Sequence, residues 1–254
     1  MKYKNSTDTI FHPFLLRDKN GFCLEQPGDS EIHVWSTSLE IDEDDLKNLK
    51  KNLSVDELTR ADRFDSDLHR RRFVVARSNL RMLIASYLNC EISAIEFSYK
   101  TNGKPVLKKP KTELTFNLSH SHDLALYGFG FARAIGIDVE RERKVLSELA
   151  IAKRFFSQDE IETIAKLFGE NRRKAFFSCW TRKEAYLKAC GVGISGGLKS
   201  FSVSCGQDEE VKLIKGNGIE NWEIVALTPA SRYVAAICFE GKDMDINCRC
   251  LMEE

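Results

Sequence analysis

The feature that most constrains the fold is a pair of long segments with helical character, one in each half of the sequence. The first begins near Asp67 and runs through LHRRRFVVARSNLRMLIASYL, and the second runs through RRKAFFSCWTRKEAYLKA. In the first segment the apolar residues recur at the spacing of a helix, and they are Phe73, Ala76, Leu80, Leu83, Ile84 and Tyr87. Because strand-like segments flank both, the sequence predicts an α+β chain built from two similar halves.

Eight short segments rich in β-branched and aromatic residues have the length of strands. They are EIHVWSTSL, IEFSYK, LTFNLSHS and DLALYGFGF in the first half, and IGIDVE, FSVSC, WEIVAL and YVAAICF in the second half, which opens near Ala134. The dipeptide Asn102-Gly103 predicts a turn after IEFSYK. An internal duplication explains the repetition, and so does the ordinary recurrence of α+β elements. The low identity between the halves does not separate these two explanations.

Helix ends are marked most clearly in the second half. Ser157 and Glu160 have the spacing of a capping box, which predicts the start of a helix. Gly169 and Asn171 predict a break before the second long helix, and Gly191 has the position expected after its C-terminus. The buried stripe of the helix between these signals is predicted to consist of Ile161, Ile164, Ala165 and Phe168.

Charge and composition narrow the class of function. The 38 Lys and Arg residues equal the 38 Asp and Glu residues, so no bulk charge predicts a nucleic-acid or membrane partner. We find no apolar run near the length that crosses a bilayer and no long apolar region at the start, so we expect a cytoplasmic protein. The eight cysteines lack CxxC pairs and zinc-site spacing, and we expect reduced, mostly buried thiols.

The stretch AIGIDVERER at 134–143 places two carboxylates in an otherwise apolar strand. Alternation puts Asp138 and Glu140 on the same face, about 6.6 Å apart along the strand. Carboxylates held together under cover repel each other unless a proton or a cation intervenes. Mg²⁺ takes carboxylate oxygens and shares phosphate oxygens. The pattern is compatible with a metal site and with a solvated strand edge.

The segment WTRKEAYLK at 180–188 aligns three side chains on one helical line. Trp180, Glu184 and Lys188 follow one another at intervals of four residues, and Lys183 is turned about 100° from Glu184. A Glu followed by a Lys four residues later is also an ordinary surface pair worth about 0.3–0.5 kcal/mol. We expect Trp180 to pack in the core. Spacing alone does not decide whether Glu184 and Lys188 belong to a functional site or to the helix surface.

The segment FNLSHSHD at 116–123 places His120 and His122 on one face of a strand. Such a pair can bind zinc, but the sequence shows no third ligand of matching type, so a phosphate contact by His120 or a plain hydrogen-bonded histidine is favoured. Clustered arginines can bind phosphates or form a solvated face. The cations around the first long helix and the NGKPV turn are Arg60, Arg63, Arg70, Arg71, Arg72, Arg77 and Lys104.

Five motifs together resemble the Sfp-type 4′-phosphopantetheinyl transferases. They are NGKP (102–105), FNLSHS (116–121), GIDVE (136–140), IAKRFFSQDE (151–160) and WTRKEAYLK (180–188), in the family's order and spacing. The resemblance runs from about Ser54 to Phe239 and implies a monomeric pseudodimer. In such a fold each of two similar α/β subdomains packs a small, mostly antiparallel sheet against a long helix. It implies an N-terminal subdomain, 1–133, on the nucleotide side of a coenzyme A pocket, and a C-terminal subdomain, 134–254, with a magnesium site and the WxxKEA helix.

The resemblance also implies an activity, that of a holo-acyl-carrier-protein synthase. Such an enzyme transfers 4′-phosphopantetheine from coenzyme A to a serine of an apo acyl or peptidyl carrier protein and releases adenosine 3′,5′-bisphosphate. The transfer activates fatty acid, polyketide or nonribosomal peptide synthesis. By resemblance, Asp138, Glu140 and Glu184 would hold Mg²⁺, with Mn²⁺ as an alternative ion. Lys183 and Lys188 would contact phosphates, and Glu184 would also be a general base, directly or through water. These two roles of Glu184 compete with each other.

The remaining implied contacts concern coenzyme A. His120 and Arg60 match positions that contact the 3′-phosphate in relatives, with Ser119 beside them, and Arg72 matches another nucleotide contact. The turn against the adenine is matched by Gly103, Lys104 and Pro105, and Asp138 also contacts the coenzyme. One departure is that Asp56 and Glu57 stand where some relatives carry a basic residue, which predicts a less cationic 3′-phosphate pocket.

Overall fold

The structure is a computed structural model that describes residues 11–15, 24–101, 103–145, 147–193, 197–206 and 209–252. Asn102 of the predicted turn and one of the eight cysteines, Cys23, lie outside them. The strands are β1 (His12–Leu15), β2 (Glu31–Ser38), β3 (Glu96–Tyr99), β4 (Pro105–Lys109), β5 (Leu114–Ser121), β6 (Leu124–Phe131), β7 (Ile135–Arg141), β8 (Ser202–Val203), β9 (Leu213–Lys215), β10 (Trp222–Leu227), β11 (Tyr233–Glu240) and β12 (Asp245–Met252). The helices are α1 (Glu43–Lys50), α2 (Val55–Ala61), α3 (Asp67–Leu88), α4 (Glu148–Phe155), α5 (Gln158–Ala165) and α6 (Gly169–Cys190).

The first half is a five-stranded sheet with α3 on one face. The strand order is β1-β12-β2-β6-β5, in which β2, β6 and β5 are antiparallel neighbours. Trp35 and Phe129 of the sheet pack with Leu80 and Ile84 of α3, because every second strand residue points to this face. Tyr87 of α3 accepts a hydrogen bond from Trp35 Nε1 at 2.7 Å. The apolar stripe predicted for the first long helix is thus confirmed from Ala76 to Tyr87, while Phe73 packs against a separate small cluster around Ala61.

The second half repeats the arrangement with an antiparallel sheet in the order β10-β11-β7. The long helix α6 covers one face, where Cys179, Ala185 and Ala189 pack against Ala236 and Cys238 of β11. Both long helices have 22 residues. The prediction of an α+β fold with two similar subdomains, each a small, mostly antiparallel sheet against a long helix, is confirmed.

The two sheets meet through their other faces and form a shared apolar core. Ile32, Val34 and Leu126 of the first sheet lie in one buried cluster with Ile137 and Ile237 of the second. The molecule is therefore layered in the order α3, first sheet, second sheet, α6. Since each sheet uses one face for its helix and the other for the opposite sheet, neither half buries its apolar surface without the other.

The C-terminal strand corrects the predicted division of the chain. The prediction assigned residues 134–254 to the C-terminal subdomain, but β12 pairs in parallel with β2 and with β1. The second half therefore ends with β11, and the chain then returns to the first sheet. The sequence carries no obvious signal for this pairing, because a parallel partner more than 200 residues away is set by tertiary packing and not by a local turn.

The helix predictions were right at the ends marked by Ser157 and Gly191 and wrong between α5 and α6, where the predicted break residues Gly169 and Asn171 lie in the first turn of α6. Glu160 Oε2 accepts from the Ser157 backbone N–H at 2.8 Å, as a capping box requires, and Gly191 ends α6 with a left-handed φ of 74°. Phe168, however, is 76% exposed, and Ala165 is exposed as well. The predicted stripe fails there because α5 ends at Ala165, and α6 already begins at Gly169. The helices α1, α2 and α4 were not predicted.

Two further findings concern membrane-spanning helices and cysteines. In the described ranges, no helix combines the length and apolar character needed to pass through a bilayer. Four of the cysteines in these ranges, Cys179, Cys205, Cys238 and Cys248, are buried thiols, as the composition predicted.

Candidate active site

Polar side chains of β5 join the two halves at the edge of the first sheet. The Asn117 side chain accepts from the Ile137 N–H at 2.8 Å. Ser119 Oγ donates to Asp138 Oδ1 at 2.8 Å. Ser121 Oγ donates to Glu140 Oε2 at 2.8 Å and accepts from the Arg141 N–H at 3.1 Å. Alternation in FNLSHS turns Asn117, Ser119 and Ser121 toward β7 and leaves Phe116 in the core against α3.

A glycine brings α6 unusually close to β7. Gly136 lies on the same strand face as Asp138 and Glu140, and a Cβ atom there would lie 2.2 Å from the Ala185 carbonyl oxygen and 2.3 Å from the Ala189 nitrogen. Only glycine permits this contact between the two backbones. The close approach positions Glu184 and Lys188 of α6 beside the two strand carboxylates.

Asp138, Glu140 and Glu184 form a carboxylate cluster, and this name is kept for them below. Asp138 and Glu184 are 5% and 6% exposed, and Glu140 is half-buried. Burial and the charges of Asp138 and Glu140 raise the pKa of Glu184 to about 7, and burial and Asp138 raise the pKa of Glu140. Asp138 Oδ2 and Glu184 Oε1 are buried without a hydrogen-bond partner. Such atoms are costly to bury unless something else satisfies them.

Lys188 is the cation of this cluster. Its Nζ donates to Asp138 Oδ1 at 2.7 Å, to Ser119 Oγ at 2.9 Å and to the Ile137 carbonyl at 3.1 Å. The expected alternative, a solvated Glu184–Lys188 pair on the helix surface, is wrong, because Lys188 reaches across to the strand and Glu184 is buried. One ammonium group faces three carboxylates, so the cluster has an excess of negative charge.

The carboxylate cluster offers the oxygen donors that Mg²⁺ prefers, two of them lacking partners. Among the residues that the structure describes, no three His, Cys, Asp or Glu side chains already stand in the arrangement of a metal site. The side chains of the cluster would therefore have to converge further to bind an ion. The residue types and their burial fit a hard cation. The predicted placement of His120 and His122 on one strand face is wrong, since β5 ends at Ser121 and His122 has a φ of 53°.

Two side chains that can contact phosphate, His120 and Arg72, border the cluster. His120 is exposed at the end of β5, and desolvation by the surrounding protein, followed by the charges of Lys188, Arg72 and His69, lowers its pKa. Arg72 is half-buried, and its Nε lacks a hydrogen-bond partner. The structure thus brings together His120, Arg72 and Lys188, which the sequence analysis had proposed as phosphate contacts.

The structure corrects the predicted role of Lys183. The resemblance implied a phosphate contact, but its side chain is completely buried on the opposite side of α6. Its Nζ donates to Glu160 Oε1 and to the Phe201 carbonyl, both at 2.7 Å, and lies 4.3 Å from the centre of the Phe201 ring. A side chain without exposed surface cannot reach a phosphate. Trp180, in contrast, packs against Phe155 and Phe176 as predicted.

The predicted nucleotide contacts of the first half lie on α2 and on the turn before β4. Arg60 is exposed and stacks on Phe73 and Tyr99, with its guanidinium 5.6 and 5.4 Å from the ring centres. It lines a cavity of about 550 Å³ whose other lining residues include Arg63 and also Asp56, the acidic departure noted above. Gly103 has a φ of 80°, which favours glycine, and Pro105 begins β4.

Lys104 takes a position that the sequence did not suggest. Its Nζ donates to the Ile135 carbonyl at 3.1 Å and to the Lys188 carbonyl at 2.5 Å, so it crosses from the first half to the second. Burial, followed by the charges of Lys100 and Lys188, lowers the pKa of Lys104 to about 8. Sequence reasoning also missed Asn117 and Gly136. The alternation within FNLSHS could have identified Asn117, whereas Gly136 has no signal beyond being a glycine inside a strand.

Two family models match the chain. The model of the 4′-phosphopantetheinyl transferase superfamily matches residues 134–238, and that of a 4′-phosphopantetheinyl transferase N-terminal domain matches residues 37–128. The 4′-phosphopantetheinyl transferase HetI of Nostoc sp. is 40% identical over 213 residues, which are 83% of this chain and 88% of HetI. The chain belongs to the 4′-phosphopantetheinyl transferase superfamily.

Two further relatives and one solved structure are also similar. The 4′-phosphopantetheinyl transferase psf-1 of Bacillus pumilus is 34% identical over 66% of this chain and 70% of its own. Sfp of Bacillus subtilis (strain 168) is 34% identical over 53% of this chain and 58% of its own. A solved holo-(acyl-carrier-protein) synthase from Bacillus anthracis in complex with CoA matches 43% of this chain and 96% of its own at 20% identity, and its TM-score of 0.37 is too low to support an argument.

Proposed function

We propose that this superfamily member transfers the 4′-phosphopantetheine group from coenzyme A to a serine hydroxyl of an apo acyl or peptidyl carrier protein. The serine oxygen forms a bond to the phosphorus next to pantetheine, the pyrophosphate P–O bond breaks, and adenosine 3′,5′-bisphosphate leaves with the electron pair. The observation that carries the proposal is the carboxylate cluster beside Lys188, His120 and Arg72 at the junction of the two halves. Membership of the superfamily supports the same reaction.

We assign the carboxylate cluster to the binding of Mg²⁺, with Mn²⁺ as an alternative ion. Support comes from the donor set of Asp138, Glu140 and Glu184, from the unsatisfied oxygens of Asp138 and Glu184, and from the raised pKa of Glu184 and Glu140. When bound, the ion would neutralise charge on the pyrophosphate oxygens during transfer. Ser119 and Ser121 hold Asp138 and Glu140 in place through their hydrogen bonds.

Cationic side chains would bind the phosphates of coenzyme A. Lys188 and His120 lie next to the carboxylates, and Arg72 lies next to His120, so all three can stabilise negative charge that builds up at the leaving phosphate. Arg60 with the turn of Gly103 and Pro105 is proposed for the nucleotide end, because Arg60 is exposed and lines the adjoining cavity. Lys183 is not part of this proposal.

Glu184 is the proposed acceptor of the serine proton, directly or through one water. A general base works best when its pKa lies near the working pH. In the metal-free protein the pKa of Glu184 is about 7, and a bound cation would lower it. The base and metal roles compete for the same carboxylate, but each oxygen can serve one of them, since a carboxylate has two oxygens with separate lone pairs.

The carrier protein is proposed to dock on the second half of the molecule. A groove of the second half is lined by Lys153 and Lys199 beside the apolar Phe156 and Ile161, which suits an acidic amphipathic helix of the kind that carriers present. Replacing Lys153 by Glu is expected to raise the KM for the carrier and to leave the KM for coenzyme A unchanged. We further propose that the protein works as a monomer in the cytoplasm.

Intact-mass analysis of apo carriers tests the function. Carriers of fatty-acid, polyketide and peptide synthesis are incubated with the protein, Mg²⁺ and either coenzyme A or ATP. The proposal predicts the mass gain of one phosphopantetheine on at least one carrier, with coenzyme A only. Unchanged carriers throughout the panel, or modification that requires ATP in place of coenzyme A, would overturn it and point to a different phosphotransferase.

A further inference from the structure

The ammonium group of Lys104 connects the two halves behind the carboxylate cluster. Lys104 lies between the glycine turn and β4 in the first half. The two carbonyls to which it donates, those of Ile135 and Lys188, belong to β7 and α6 of the second half. These carbonyls are 31 and 84 residues away in sequence. A side chain that bonds to two backbone groups of different elements fixes the distance between those elements.

One of the two acceptors, the Lys188 carbonyl, belongs to the end of a helix. The last carbonyls of a helix have no partner within it, and cations near them are favoured by the helix dipole. At the C-terminus of α6 the N–H groups of Gly191 and Val192 both donate to the Leu187 carbonyl. Lys104 provides a donor for the next carbonyl, that of Lys188. It therefore caps the helix from the opposite half of the molecule.

The side chain of Lys188 contacts the carboxylate cluster. While the Lys188 carbonyl accepts from Lys104, the Lys188 ammonium donates to Asp138 and Ser119. The second acceptor, Ile135, precedes Gly136, whose added Cβ would lie 2.8 Å from the Lys188 carbonyl carbon. Lys104 thus bonds to both backbones where β7 and α6 are in closest contact.

We propose that Lys104 is a positioning residue that holds the end of α6 against β7 and thereby sets the placement of Lys188 and Glu184 relative to Asp138. The inference rests on the proposed transfer reaction for its kinetic consequences. It differs from the role that the resemblance implied, a contact with the adenine, because the ammonium group is directed to backbone carbonyls of the second half. The two roles predict different effects of the same substitution.

The kinetic test uses Lys104→Met, with Lys104→Arg as the conservative variant and Lys108→Met as the control. Lys108 lies on the neighbouring strand β4, and its exposed ammonium pairs only with the surface residue Glu96 among the contacts that the structure shows. For Lys104→Met we expect kcat to fall about tenfold or more, because small displacements of catalytic groups are costly, while the KM for coenzyme A stays within about twofold of wild type. Lys104→Arg should recover part of the loss.

A second readout does not depend on activity. Amide hydrogen exchange of residues 186–193 in the ligand-free protein should become about tenfold faster in Lys104→Met, as expected for the loss of one charge-assisted hydrogen bond at a helix end. The Lys108→Met protein should exchange there like wild type. Thermal unfolding of each variant ensures that folded proteins are compared.

The outcomes separate the alternatives. A raised KM for coenzyme A with unchanged kcat and unchanged exchange would overturn the inference and favour a nucleotide contact by Lys104. If the wild-type protein modifies no carrier, the proposed function fails, but faster exchange in Lys104→Met would still support the connection between the halves. Unchanged exchange in that variant would overturn the connection whatever the activity.

Discussion

Glu184 is the residue whose chemistry is changed most by its surroundings. It belongs to the largely buried part of α6 between Ala175 and Ala189, where it is 6% exposed and faces two other carboxylates. Its pKa of about 7 means that folding costs free energy whenever the group is ionised. The cost is tolerated because the same arrangement provides a group that can bind a cation and accept a proton near neutral pH.

This cost predicts a pH-dependent effect of Glu184→Gln on stability. The unfolded carboxyl titrates near 4.5 and the folded one near 7, so the folded state binds more protons between these values and wild-type stability falls as pH rises through them. We therefore compare the free energies of unfolding of Glu184→Gln and wild type without divalent cations. The difference between the two should be up to about 3 kcal/mol more favourable to Glu184→Gln at pH 8 than at pH 4. Urea unfolding in EDTA at both pH values measures the gain. The same difference between the two proteins at both pH values would contradict the raised pKa.

The magnesium proposal adds a second arm to that experiment. At pH 8, Mg²⁺ should stabilise the wild-type protein and have a smaller effect on Glu184→Gln, because one of three negative charges is gone. Glu142→Gln is the matched control, since Glu142 continues β7 beyond the carboxylate cluster. Its response to pH and to Mg²⁺ should equal that of wild type.

At the scale of single residues the sequence predicted much of the site but not all of it. Asp138 and Glu140 follow from strand alternation, and their partner Glu184 came from the resemblance. Lys183 could not be placed from sequence, because neighbouring helix residues differ by about 100° and only the packed structure shows which direction leads to the site. Its pairing with Glu160 requires a second helix, α5, whose orientation no local pattern specifies.

The site depends on the contact between β7 and α6. Gly136→Ala would place a Cβ 2.2 Å from a backbone oxygen of α6, and a backbone atom cannot move aside as a side-chain end can. We expect a loss of about 3 kcal/mol in the free energy of unfolding, measured in urea, together with a large loss of transferase activity.

Gly28→Ala is the control for this substitution. A Cβ at Gly28 would lie 3.7 Å from the Glu31 carboxylate, which is an ordinary contact. Its stability should change by less than about 1 kcal/mol. Equal stability of Gly136→Ala and wild type would show that α6 does not need its close approach to β7.

The last strand makes a separate prediction at the element scale. β12 lies between β1 and β2, and it places Cys248 in the core shared by the two sheets and Leu251 in the core beneath α3. Removing residues 245–254 should lower the free energy of unfolding by at least about 3 kcal/mol, since two buried side chains and a row of strand hydrogen bonds are lost. Removal of residues 253–254 alone is the control. A truncated chain that unfolds in urea like wild type would contradict the position of β12.

Elements with a strong periodic pattern were predicted well, and those positioned by distant partners were not. The boundaries of α3 follow from apolar spacing and the end of α6 from a glycine stop, and β5, β6 and β7 follow from β-branched and aromatic segments. In contrast, α1 buries no residue completely, and β12 has mixed polar character, so neither is distinguished by its own sequence. The charged and polar faces of both are explained by their neighbours in the fold.

The whole molecule places the site where its two halves touch. Hydrogen bonds from Ser119 and Ser121 in the first half orient Asp138 and Glu140 in the second, and the shared apolar core fixes one sheet on the other. The described residues of one chain therefore supply both sides of the proposed site, in keeping with the proposal of a monomer.

This arrangement predicts a monomer in solution. Sedimentation velocity should give the mass of a single chain at concentrations at which the protein is active. Activity per chain should also be independent of protein concentration, because no residue of a second copy takes part. A dimer whose dissociation abolishes activity would contradict the self-contained site.

The most direct test of the central claim is the rate at which an apo carrier gains phosphopantetheine in the presence of coenzyme A and Mg²⁺. Intact-mass time courses compare wild type with Glu184→Gln, Asp138→Asn and the control Glu142→Gln, after urea unfolding has shown that each protein is folded. We predict equal rates for wild type and Glu142→Gln and a loss of at least about 100-fold for the other two. Modification at the wild-type rate by folded Asp138→Asn or Glu184→Gln would show that the carboxylate cluster does not carry the reaction.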